Sequence, residues 1–158
     1  MGLRELKTEL NKMEKIEIIK MVSELYKKVP MAKNYLDVFT NGEVDDLIKK
    51  YQREIEILVY PLSINATFKD AEARKLIKTI RKMKIAELTV ALELHYVNCC
   101  LGVIEDLGYW DEPYYAAVDR MFYSATKGIT ENSLEAKYDK LIADLVSKSY
   151  EFGLDFEY

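Results

Sequence analysis

Apolar residues recur along the chain at spacings of three and four. Leu3, Leu6 and Leu10 stand at i, i+3 and i+7, and past Asn11 a second set follows at Ile18, Ile19, Val22, Leu25, Tyr26 and Val29. That period gathers apolar side chains on one helical face, so it predicts two amphipathic helices. Pro30 ends the second, because proline disfavours helical geometry in the residue before it and has no N–H to donate. A short helix over about 31–39 is predicted next, then a turn at Thr40-Asn41-Gly42. Val44, Leu47, Ile48, Tyr51, Ile55, Leu58 and Val59 then hold the period up to Pro61.

Residues 62–68 have no period and read as a connector. Beyond them Ala73, Leu76, Ile77, Ile80 and Met83 mark one face of a fifth helix whose other face is basic. From about 85 to 107 the chain is apolar nearly all round, which predicts a central helix packed on several sides and stopped by Gly108. Trp110-Asp111-Glu112-Pro113 has the composition of a helix start: Asp111 as N-cap, an acid and a proline in the first turn, and Trp110 placed to pack back on a later residue. Val118, Met121, Phe122, Ala125 and Ile129 carry that helix. Gly128 and residues 130–133 predict a break, and Leu134, Tyr138, Leu141, Ile142, Leu145 and Phe152 predict a last helix. Phe152, Leu154 and Phe156 alternate with Gly153, Asp155 and Glu157, a pattern open to an extended tail. The prediction is an all-α fold: an irregular array of seven or eight amphipathic helices around a central apolar helix at about 85–107.

Composition agrees. With 158 residues, 49% hydrophobic and 32% charged, the chain has the make-up of a single α-helical domain, 1–158, and three prolines and six glycines are too few for a turn-dense β protein. The first ten residues alternate charge with leucine and lack the apolar stretch of a signal peptide. Residues 88–104 are interrupted by Glu93, His95 and Asn98, so they read as a core helix rather than a membrane span. A cytoplasmic protein without a membrane partner is expected. The sequon Asn65-Ala66-Thr67 would matter only in a secreted chain.

Charge is unevenly placed. Residues 1–84 hold 18 Lys and Arg against 13 Asp and Glu, net +5, whereas residues 85–158 hold 5 against 14, net −9. In the basic helix 69–84, Arg74, Lys78 and Arg81 fall on one stripe at i, i+4 and i+7, with Lys75 and Lys82 beside it. Such a stripe suits phosphate or nucleic acid. It equally suits a solvated face or pairing with the acidic half, and a pI near 5.2 argues against a dedicated nucleic-acid binder.

Chemistry is sparse. Adjacent Cys99 and Cys100 offer no disulfide framework, and one histidine with two cysteines cannot close a structural zinc site. His95 and Cys99 share a helical face at i, i+4, but two ligands do not make a metal centre. A histidine or thiol inside an apolar helix is more often a core residue. No catalytic residue, metal or cofactor is therefore assigned. Aromatics concentrate in Tyr109, Trp110, Tyr114, Tyr115, Phe122 and Tyr123, beside Asp111, Glu112 and Asp119. Aromatic anchors of this kind serve protein interfaces, and they also serve cores.

Several stretches together resemble a bacterial family known only as a domain of unknown function: Arg4-Glu5-Leu6-Lys7, Glu24 to Pro30, Tyr35-Leu36, Lys49-Lys50-Tyr51, Ala73-Arg74-Lys75, Glu87-Leu88 to Tyr96-Val97, Asp111 to Tyr115 and Met121-Phe122. The resemblance implies a small, all-helical, cytoplasmic bacterial protein and carries no activity, cofactor or functional residue. The leading expectation is a non-enzymatic helical module that docks a protein partner or a second copy of itself, with Tyr109, Trp110, Asp111, Glu112, Tyr114, Tyr115 and Tyr123 as contact candidates. Anion binding through Arg74, Lys75, Lys78, Arg81 and Lys82 is the first alternative, and an enzyme whose site assembles from scattered helices is the second.

Overall fold

The computed structural model describes residues 1–42, 44–60, 67–108 and 111–156. Among these the chain is all-α: α1 (Leu3–Leu10), α2 (Lys15–Lys28), α3 (Pro30–Asn41), α4 (Asp45–Val59), α5 (Asp70–Arg81), α6 (Ala86–Leu107), α7 (Glu112–Glu131) and α8 (Glu135–Glu151). The chain divides into two compact units, Met1–Glu43 and Val44–Tyr158.

In the first unit, glutamates reach back to cap α1 and α2: Glu5 accepts from the Gly2 N–H at 2.8 Å, and Glu17 accepts from the Glu14 N–H at 2.9 Å. Val29 is extended and Pro30 opens α3 as its first residue, so the proline that ends α2 also starts its neighbour. α3 runs to Asn41, through the predicted turn. Gly42 closes it at φ +69, a left-handed backbone that glycine adopts without a Cβ clash. α2 and α3 pack together.

In the second unit α6 is the axis. It is long and apolar enough to cross a bilayer by length and composition, and here α4, α5, α7 and α8 cover it. Leu88, Leu92, Leu94, Tyr96, Val97, Cys100, Leu101 and Val103 are sealed from solvent, as the all-round apolar pattern requires. Facing residues are Ile55 and Val59 of α4, Ile77 and Ile80 of α5, Val118, Phe122 and Ile129 of α7, and Ile142 and Leu145 of α8. Polar ties fasten the rim: Lys148 Nζ to Glu105 at 2.6 Å, Lys137 to Glu87, and the Tyr60 hydroxyl donating to Asp106.

Three local expectations are corrected. α5 begins at Asp70 and ends at Arg81, with Met83 buried in the following turn. Gly128 does not break α7, which continues to Glu131. Its role is packing, because a Cβ there would sit 3.0 Å from Val90 Cγ2 on α6. The tail past α8 forms no strand; residues 154–156 are irregular, and the sheet that alternation would need has no second member among the described residues. Trp110 and its predicted packing lie outside the described residues.

Gly128→Ala tests the packing role. In an open helix it would add about 1 kcal/mol of stability. Val90 is buried and β-branched, with one favoured rotamer and little room to yield. A loss of about 1–2 kcal/mol in urea unfolding is expected, smaller in the Val90→Ala background. A net gain would show that α6 and α7 are not held at this spacing.

Candidate functional site

Each helix of the first unit is amphipathic, and in each the apolar face remains open. No described side chain of residues 1–42 is buried. Leu3, Leu6, Ile16, Ile19, Met21, Val22, Leu25, Tyr26, Val29, Tyr35 and Phe39 are 36–75% exposed, with Ile16 and Phe39 at the top of that range. Burial of apolar area drives folding, so helices that share so little of it with each other have stabilisation in reserve for another surface. The α2–α3 pair is nevertheless set by specific polar contacts. The Tyr26 hydroxyl donates to Asp37 Oδ1 at 2.9 Å, and Lys33 Nζ donates to Asp37 Oδ2 at 3.2 Å while lying 5.3 Å from the Tyr26 ring centre. The Tyr26 hydrogen bond, with help from Lys33, holds the Asp37 carboxyl below its ordinary pKa.

The second unit contains a buried charge site. Glu93 projects from the middle of α6 and is 1% exposed. Its Oε1 accepts from Arg81 Nε at 2.7 Å and from Ser124 Oγ at 3.0 Å, with Arg81 Nη2 at 2.5 Å. Arg81 Nη2 also donates to Ser124 Oγ at 3.2 Å, so α5, α6 and α7 meet at one carboxylate oxygen. Burial pushes the Glu93 carboxyl above its ordinary pKa, and the charge and hydrogen bonds of Arg81 and Ser124 oppose that shift without cancelling it. The site opens on a groove of about 340 Å³ bounded by Lys84, Val90, Lys127 and Glu131.

The anion candidates divide accordingly. Arg81 is spent on Glu93, and Arg74 Nη2 lies 3.1 Å from Asp70 Oδ2, one turn back. Lys75, Lys78 and Lys82 are exposed. The aromatic candidates also part company. Asp111 caps α7, accepting from the Tyr114 N–H at 2.9 Å, with Glu112 exposed in the first turn. Tyr114 turns inward, its hydroxyl 3.5 Å from the Cys100 carbonyl, and Tyr115 is half-buried. Tyr123 faces outward beside a groove lined by Asp119, Arg120 and Asp155. Tyr109 and Trp110 lie outside the described residues.

The soft ligands sit where nucleophilic chemistry is suppressed. Cys99 Sγ is 3.5 Å from His95 Nε2, but burial pushes the Cys99 thiol up to about 12 and the His95 imidazole below its ordinary pKa. Both stay neutral near pH 7, so no thiolate and imidazolium pair forms. Burial likewise pushes Cys100 up to about 12. Among the described residues no three His, Cys, Asp or Glu side chains gather at metal-binding distance.

Sequence reasoning singled out neither the Glu93 ion pair nor the open faces of the first unit. A lone carboxylate between Leu92 and Leu94 was the available signal for the first. For the second, periodicity gives a face but not what covers it. Compared with protein-family models, characterised proteins and solved structures, the chain matches none.

Proposed function

We propose that the protein is a non-enzymatic helical interaction module and that the apolar faces of α1–α3 are its docking element. The carrying observation is a unit of three amphipathic helices without one buried side chain among its described residues. A segment of this length cannot bury enough surface to be stable alone, and association is a common remedy. The neutral, shielded states of His95, Cys99 and Cys100 favour this reading over the enzymatic one. The internal pairing of Arg74 and Arg81 favours it over anion binding through α5. Docking is therefore assigned to residues 3–39 rather than to the aromatic segment around Tyr114, whose ring is already used in the core. Two buried free thiols suit a reducing compartment, and the proposal sets the module in the cytoplasm.

The test is a photo-crosslinking benzoyl-phenylalanine placed at Phe39 of the full chain in living cells, with Tyr150 of α8 as the comparison site. Adducts to another polypeptide are expected from position 39, identified by peptide sequencing and lost in a Val22→Glu/Leu25→Glu background. Adducts confined to residues 44–158 of the same molecule, or none at all, would overturn the proposal.

A further inference from the structure

Resting on that docking role, we infer that the occupant of the α1–α3 face is a second copy of this chain, joined through α2 in antiparallel orientation. Three observations support this. The first is area. At their observed exposures the eleven apolar side chains between Leu3 and Phe39 offer on the order of 1,000 Å², taking about 150–250 Å² for each large side chain. Summed over all three helices, that is comparable with the ~800 Å² per partner that a stable complex buries, so the interface draws on α1 and α3 beside the α2 seam.

The second is pattern. Ile18, Val22, Leu25 and Val29 are spaced four, three, four along α2, the alternation by which one helix seats knobs in the holes of an identical helix. A two-fold interface needs such a self-complementary seam. The third is charge. Residues 1–43 hold eight Lys and Arg against seven Asp and Glu, so two copies meet without net repulsion. Along α2 the charges alternate, with Glu14, Lys15, Glu17 and Lys20 in the first half and Glu24 paired with Lys27 and Lys28 in the last, so neither end carries more than a small net charge. An antiparallel pair opposes the two helix dipoles, and it keeps the Lys27-Lys28 ends of the two copies apart, where a parallel pair would set them side by side.

The experiment is sedimentation equilibrium of the full chain from about 1 to 200 µM, where self-association is read from concentration dependence. A species of twice 18.4 kDa is expected at the upper end. Val22→Glu/Leu25→Glu is expected to weaken the dimer at least ~100-fold. Both residues are partly exposed already, so the helical signal in circular dichroism should remain. Lys20→Glu, on the opposite side of α2, should leave the dimer intact. A monomer at every concentration overturns the second copy as occupant, as does a dimer indifferent to the double substitution. Docking itself then stands or falls separately: Phe39 adducts to a foreign chain uphold it, and no adduct to any chain removes both.

Discussion

Arg81→Met is expected to lower the stability of the protein by about 3 kcal/mol near pH 8 and by much less near pH 5. Removing one partner of a buried ion pair leaves the other charge without compensation, at a cost of ~3–5 kcal/mol; Arg81 is itself 41% exposed along its side chain, which places the expected loss at the low end. The pH dependence follows from Glu93. Its folded pKa is raised above the unfolded value, so between those two values the folded state holds a proton that the unfolded state has lost. The stability from this group is fully present at low pH and is lost as pH rises through the folded pKa. Without Arg81 the folded pKa rises further, the carboxyl stays protonated over a wider range, and the penalty concentrates at high pH. Arg81→Met/Glu93→Gln should recover most of the loss, because the amide keeps the shape without the charge and can still meet Ser124. Urea unfolding of the four proteins in the cycle, at both pH values, reads this directly. Equal losses at the two pH values, or strictly additive substitutions, would mean that Arg81 acts by packing against Met121 instead.

That network also marks where sequence reasoning stops. The pattern of apolar positions, together with the residues that start and stop helices, locates the helices seen among the described residues, because backbone hydrogen bonding fixes which residues share a face before any tertiary contact forms. The stop at Gly108 and the Asp111 cap are equally local: a glycine after the last apolar turn, and a short acid three residues ahead of the amide it accepts from. Gly128 shows the limit of the same local logic. As a weak helix former it signals a break, and the close approach of Val90 from another helix decides the matter the other way. Arg81 at one turn of α5 and Ser124 at one turn of α7 carry no mark that they share a partner, since their sequence separations from Glu93 are 12 and 31 residues. The apolar faces of α1–α3 are legible as faces. Their exposure is not, because a pattern of leucines and isoleucines is the same whether its cover comes from the same fold or from another molecule.

Phe156→Ala is expected to cost about 3–4 kcal/mol. α8 finishes at Glu151, and the Leu154 N–H returns to the Ser149 carbonyl at 3.1 Å while Gly153 takes φ +72. This closing turn sends the chain back over α7 instead of into solvent. Phe156 then lies 2% exposed against Phe122, with ring centres 4.2 Å apart and planes 14° from parallel. Truncation removes a full aromatic ring's burial and leaves a void beside Phe122, which is itself sealed. Phe156→Leu keeps much of the volume without the stacking, so less than half of that loss is expected. Gly153→Val should also destabilise, because a β-branched residue is strained at that backbone angle whatever room surrounds it. The urea midpoint of each variant reports the outcome. A loss under about 1 kcal/mol for Phe156→Ala would show that the tail is not an anchor. In that case the groove beside Tyr123, which Asp155 helps to line, would have no fixed wall.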